Sequence, residues 1–325
     1  MRKALAAIAL IAALFVGITT SWAADYPTRT ITIIVPFAAG GPTDTVTRLV
    51  AEAMQRDLGQ QIVVENVGGA GGTLGAARVA KAEPDGYTLL LHHIGMATSA
   101  SLYHTLPYNP RESFAPVGLV TEVPMTLVGR ADFPPKDAKE LIAYVKENKD
   151  KVTYANAGIG AASHLCGMLF MREVGAQVTT VPYKGTGPAM TDLLGGQVDF
   201  MCDQTTNTTN QIKAGKIKAY AVTIPQRLAV LPEVPTTQEA GLPSVQVTIW
   251  HGLYAPKGTP DEVIQRLTSA LQKALKDQNV IKQFAELGTT PVDQSEATPD
   301  ALAAKLNAEI DRWAPVIKEA GVYAD

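Results

Sequence analysis

The sequence predicts an α/β protein of two domains, each a mostly parallel sheet flanked by helices. Three observations carry this expectation. Short β-branched runs alternate along the chain with segments of helical period. Most of those runs lead through Gly-rich turns into the next helix, the pattern of parallel sheets covered on both faces. Two long apolar segments, at 115–128 and 245–255, lack helical period and read as extended crossings between domains. Placed there, the boundaries give one domain of 24–123 plus 249–325 and a second of 124–248. The alternative is one larger sheet.

The elements follow in order. Residues 31–35 are β-branched and stopped by Pro36, which reads as a strand. Val46, Leu49, Val50, Ala53 and Leu58 recur at helical spacing, with Gly59 as the stop. Residues 61–64 and 87–92 read as strands, and 73–82 as a helix of small residues. Asp137 and Glu140 form an acidic capping box for a helix through Val145. Strands are expected at 152–155, 178–182, 198–202 and 217–222, with helices at 161–174 and 188–194. Thr259-Pro260-Asp261-Glu262 reads as a capping box with Pro at the first helical position. Thr298-Pro299-Asp300 opens the last long helix, through Ile317.

Arg2 and Lys3 precede an apolar run from Ala4 to Val16, shorter than the roughly 20 residues a membrane span requires. With the small residues around Ser21-Trp22-Ala23 this is the pattern of a secretory signal peptide over 1–23, cleaved after Ala23 or Ala24. The destination is then the periplasm. Formal net charge is −3 with no basic tract, which argues against nucleic acid as a partner. An oxidising compartment allows Cys166 and Cys202 to pair; the alternative is two buried thiols.

Three strand-to-helix turns attract attention, because ligands of open parallel sheets bind at that end. The first is Phe37-Ala38-Ala39-Gly40-Gly41-Pro42-Thr43-Asp44, where free N–H groups at a helix start suit an anion. The second is Gly158-Ile159-Gly160-Ala161-Ala162-Ser163-His164. Its small residues expose N–H groups, and Ser163 and His164 add side-chain donors. Facing each other across a cleft, the two turns would clamp a dicarboxylate. The third, Lys184-Gly185-Thr186, offers a cation, and Asp203 and Gln204 end a neighbouring strand where they would line the same cleft; the alternative is that Asp203 caps the following helix. Candidate walls are Phe37, Met96, Tyr183, Trp250 and His251, with His93 nearby. The Gly-rich stretch at 68–75 has neither dinucleotide nor phosphate-loop spacing and reads as a flexible connection. His92 and His93 are adjacent and expected on opposite faces of a strand. No HExxH, CxxC or GxSxG occurs. No catalytic residue, metal or cofactor is therefore expected.

With these residues in view, the chain resembles the Bug family of periplasmic solute receptors, the binding components of tripartite tricarboxylate transporters. The matches are Tyr26-Pro27, PFAAGGPTD at 36–44, ENVGGAGGTLG at 65–75 and PDGYTL at 84–89. NAGIGAASH at 156–164, VPYKGTGPAM at 181–190, DLLGGQVDFMCD at 192–203, Val234-Pro235-Thr236 and GLYAPKGTP at 252–260 complete them. The resemblance implies a Venus-flytrap fold of type 2-like periplasmic binding proteins, with a small carboxylate, aliphatic or aromatic, in the cleft. It implies that the turns at 37–44 and 158–164 hold carboxylates largely through backbone N–H groups and ordered water. It also implies delivery to membrane permease subunits, by a monomer that is not an enzyme. One departure is Ala39, where the family often has Pro. Two other classes fit an α/β frame: a hydrolase or transferase, and a sensor presenting its closed form to a membrane kinase.

Overall fold

The computed structural model describes residues 26–321, 323 and 324. The proposed signal peptide and its cleavage site lie outside these residues. The first wing is built from β1 (Ile31–Val35), α1 (Pro42–Leu58), β2 (Ile62–Asn66), α2 (Thr73–Ala80), β3 (Thr88–His93) and α3 (Gly95–Leu102). The chain then runs into β4 (Phe114–Arg130), a single strand of 17 residues. The second wing follows: α4 (Ala138–Glu147), β5 (Thr153–Asn156), α5 (Ala162–Val174), β6 (Thr179–Pro182), α6 (Thr186–Leu194), β7 (Phe200–Gln204), α7 (Thr205–Lys213) and β8 (Ile217–Val222). The chain returns through β9 (Thr248–Pro256) and ends in α8 (Asp261–Leu275), α9 (Gln278–Glu286) and α10 (Pro299–Ala320).

The strands form the order β2-β1-β3-β9-β4-β7-β5-β6, with β8 also on β4. Both wings are parallel: β1 pairs β2 and β3, and β5 pairs β6 and β7. The middle is antiparallel, through β9 on β3 and β4, and β7 and β8 on β4. The alternation of strands and helices thus foretells the wings and misses the spine. The two apolar segments without helical period are this spine. Buried on both faces, they show no alternation for the eye to follow. Along β4 the partner changes from β9, which reaches Pro124, to β7, which begins at Met125.

Burial follows from the pattern. The face of the first wing under α1, α8 and α9 packs Ile31, Ile33, Val50, Met54, Leu267 and Phe284 into one cluster. A second cluster runs beneath both wings, from Leu90 and Met96 to Tyr154, Phe170, Phe200 and Trp313. Two helix starts behave as their sequences suggest: Asp137 accepts from the Glu140 N–H and Thr298 from the Ala301 N–H. The box at 259–262 does not form. Thr259 Oγ1 donates to the Pro256 carbonyl at 2.8 Å instead, and α8 starts without a side-chain cap. Cys166 on α5 and Cys202 on β7 are bonded to each other. No helix of the described residues is long and apolar enough to cross a membrane.

Candidate functional site

The turns after β1, β5 and β6 and the end of β7 come together between the wings. Phe37, Gly41, Pro42 and Thr43 of the first wing, with His93, face Ala157, Ala162, Ser163, Thr186, Asp203 and Gln204 of the second around one small cavity. Four helices begin there: α1, α5, α6 and α7. None has a side-chain hydrogen bond at its N-cap, which is Gly41, Ala161, Gly185 or Gln204. Of the helices that start elsewhere, α4, α9 and α10 are capped by Asp137, Asp277 and Thr298, while α2, α3 and α8 also lack a side-chain cap, so it is the convergence of the four and not the missing cap that sets this place apart. Four uncapped helix starts concentrate partial positive charge and free donors where an anion would sit. No Lys or Arg lines the cavity.

The side chains add neutral donors. His93 Nδ1 accepts the Gly95 N–H at 2.9 Å, so the neutral ring carries its proton on Nε2. Burial holds His93 well below the usual histidine pKa, and His92 and His251 are lowered to about 3 by burial, His92 further by its neighbour His251. Phe37 stacks on His93 with ring centroids 4.5 Å apart and meets His92 edge-on at 5.6 Å. The two histidine rings lie 5.1 Å apart rather than on opposite faces, because the strand ends at His93. Thr43 Oγ1 is 3.3 Å from His251 Nε2. Ser163 Oγ accepts the Ala157 N–H at 2.8 Å, which leaves its O–H to donate. Among the described residues no group of three or more His, Cys, Asp or Glu is placed to hold a metal.

The two aspartates differ. Burial raises the Asp44 pKa, but hydrogen bonds from Arg48, the Gly40 N–H and Asn66 outweigh it and hold the group below the usual carboxylate value. Gly40 donates to Asp44 Oδ2 at 3.0 Å and Asn66 Nδ2 to Oδ1 at 3.0 Å. Asp44 therefore braces its loop and does not line the cavity. Asp203 is buried with no cation acting on it, and burial raises it to about 6 against hydrogen bonds from Asn207, the Gln204 N–H and Thr186.

Of the residues the sequence singled out, Phe37, Gly41, Thr43, His93, Ala162, Ser163, Thr186 and Asp203 meet at the cavity. The rest act around it. The Ala38 N–H donates across the wings to the Lys184 carbonyl at 2.9 Å, beside Gly185. Gly187 approaches so closely that a Cβ there would lie 2.6 Å from the Ala39 carbonyl oxygen. Gly158, Ile159 and Gly160 form a tip that folds over the first wing and away from the cavity. Tyr103 Oη, which donates to the Ala70 carbonyl at 2.7 Å, lies 3.3 Å from the Ile159 carbonyl oxygen, and Thr98 Oγ1 donates to the Gly160 carbonyl at 3.0 Å. Ala161 is the N-cap of α5, and Met96 is buried in the core. Trp250 is core, Tyr183 donates to Asp192, and the Lys184 side chain is exposed.

Ile159 and His164 face a larger groove of about 700 Å³, walled by Met168, Leu169 and Val316. It opens outward between α5 and the end of α10. The cavity at the turns measures only about 10 Å³, room for about one water. We take the small cavity as the candidate site, because the polar groups and helix starts converge there and both wings contribute. Pro42, Ala157 and Gln204 also line it. In the sequence Gln204 stands beside Asp203 as a candidate for this cleft, and the structure brings both to the cavity wall.

The Gly-rich stretch at 68–72 is a contact surface and not a mere connection. A Cβ on Gly68 would lie 2.6 Å from the Lys184 carbonyl oxygen, and one on Gly71, at φ 60°, would overlap the Ile159 carbonyl. These glycines let the backbone of one wing lie against that of the other.

The family model for the tripartite tricarboxylate transporter family receptor, TctC, matches residues 46–322. The UPF0065 protein in the TAR-I ttuE-ttuC' intergenic region of Agrobacterium vitis is 57% identical over 96% of this chain and 91% of its own. The structure of the periplasmic binding protein BugD superposes with a TM-score of 0.90 at 54% identity, covering 92% of this chain and 99% of that one. MatC from Rhodopseudomonas palustris with bound malate gives a TM-score of 0.87 at 44% identity, covering 90% and 100%.

Proposed function

The chain belongs to the tripartite tricarboxylate transporter receptor family, and from that premise we propose that it captures a small dicarboxylate between its two wings and delivers it to the permease of such a transporter. The observation that carries this reading is the meeting of four uncapped helix starts, from both wings, at one cavity without a fixed cation. Charge-assisted hydrogen bonds from N–H groups, Thr43, Ser163 and His93 hold an anion there without a lysine or arginine. The malate bound by a structural neighbour supports the ligand class. The periplasm, with cleavage after Ala23 or Ala24, is the compartment this reading requires.

Capture needs movement. A cavity of about 10 Å³ admits no dicarboxylate, so the wings separate to receive one and close on it. We assign the lobes as 24–123 with 249–325 and 124–248, because β4 changes partner at Pro124 and Met125. Each carboxylate then meets one wing: one at 37–44, the other at Ala157, Ala162 and Ser163 rather than at the 158–160 tip. Titration calorimetry with aliphatic dicarboxylates and aromatic acids tests this. At least one dicarboxylate binds, and Thr43→Val and Ser163→Ala each weaken it about 10-fold, the loss of a hydrogen bond to a charged group. A folded protein that takes none of the acids ends the proposal.

A further inference from the structure

We propose that the groove of about 700 Å³ between α5 and the end of α10 is a second binding site, for a small monocarboxylate with an apolar body. The inference is independent of the capture reading, because the groove and the small cavity share no lining residue.

The volume falls within the roughly 300–1,000 Å³ of small-molecule sites. His164, Met168 and Arg172 stand at four-residue spacing on one face of α5, so the lining runs about 12 Å from the first turn of that helix to its last. Donors collect at the first turn. Asn156, 2% exposed, ends β5 against the groove. Its Oδ1 accepts the Gly158 N–H at 2.8 Å, and its Nδ2 donates to no described residue. Across the same turn His164 Nδ1 accepts the Gly160 N–H at 3.4 Å, so the neutral ring carries its proton on Nε2, which also donates to none. Burial lowers the His164 pKa to about 4, which keeps the ring neutral. A buried amide with unused N–H groups is costly unless an acceptor reaches it. A carboxylate accepts several such bonds at once, and the N-terminal dipole of α5 favours its charge. Beyond this end Met168 and Leu169 of α5 and Val316 of α10 offer apolar walls for a chain or a ring. The far end has nothing for a second carboxylate. Arg172, the one Lys or Arg lining the groove among the described residues, is paired with Glu319 at 3.0 Å.

The test is titration calorimetry with octanoate and octanamide on the folded protein, alone and saturated with a dicarboxylate that binds it. Octanoate binds about 10-fold more tightly than the amide, and it still binds when the dicarboxylate is present. Asn156→Asp keeps the acceptor for the Gly158 N–H and removes the donor, and Met168→Glu sets a charge in the apolar wall. Each weakens octanoate about 10-fold and leaves dicarboxylate affinity within about 3-fold. Four results overturn the inference: no octanoate binding, equal binding of the amide, displacement by the dicarboxylate, or unaltered octanoate affinity in both folded variants. Displacement would put the octanoate in the small cavity. A protein that binds octanoate and no dicarboxylate ends the capture reading and leaves the groove standing. The measurement on the natural protein decides even where a variant does not fold.

Discussion

Asp203 lines the cavity and Asp44 braces the first-wing loop behind it; the two stand under opposite electrostatics, and their titrations run in opposite senses. Asp44 is held low, so its stabilising contribution is present above the unfolded pKa of 3.8 and is lost as pH falls below it. Asp203 is raised to about 6, so its contribution is complete below 3.8 and is lost as pH rises through 6. His92 and His251, lowered to about 3, stabilise the fold above 6.5 and cost stability as pH falls toward 3. These opposing trends overlap in the natural protein, so a difference measurement isolates one of them. The stability of Asp203→Asn relative to the natural protein falls by on the order of 2–3 kcal/mol between pH 8 and pH 4, read from denaturant melts. A gap that does not move with pH removes the raised titration. At this scale the sequence offered both aspartates as candidates, and it could not show which one was braced. Asp44 meets Asn66 from 22 positions away, a partner that spacing along the chain does not reveal.

Elements place those residues. β7 ends in Cys202, Asp203 and Gln204, and α5 begins with Ala162 and Ser163, so two cavity-lining segments are joined by the Cys166–Cys202 bond. The bond closes a separation of 36 residues. Replacing both cysteines with alanine lowers stability by roughly 3–4 kcal/mol on loop entropy, measured as an earlier denaturation midpoint. An unchanged midpoint means the bond contributes nothing to the fold. Strands and amphipathic helices were legible here. α3 and α7 were not. GMATSASL in α3 is buried nearly all round and carries no apolar stripe, and TTNTTNQIK in α7 is poor in helix formers. Tertiary packing makes them helical, and α7 then offers one of the four uncapped starts.

Closure belongs to the whole molecule. The wings meet through backbone: the Ala38 N–H on the Lys184 carbonyl, Gly187 against Ala39, and Gly68 and Gly71 against the second wing. Any side chain at Gly71 would overlap the Ile159 carbonyl. Gly71→Val therefore holds the wings apart. Small-angle scattering of the natural protein shows the radius of gyration shrinking when the dicarboxylate is added; the variant stays at its ligand-free value and binds at least 10-fold more weakly. A variant that closes normally would falsify the contact. Motif order along the sequence by itself determined the fold class, the family resemblance, the turns with helix starts suited to an anion and the cysteine pair, because each is encoded in local pattern or spacing. Tertiary structure alone decided that the tip at 158–160 serves as an interface, that the glycines at 68–72 are its platform, and that Asp203 is buried without a cation while Gln204 Oε1 has no partner among the described residues. Those properties depend on which backbone lies opposite, and distant segments meet only when the chain has folded.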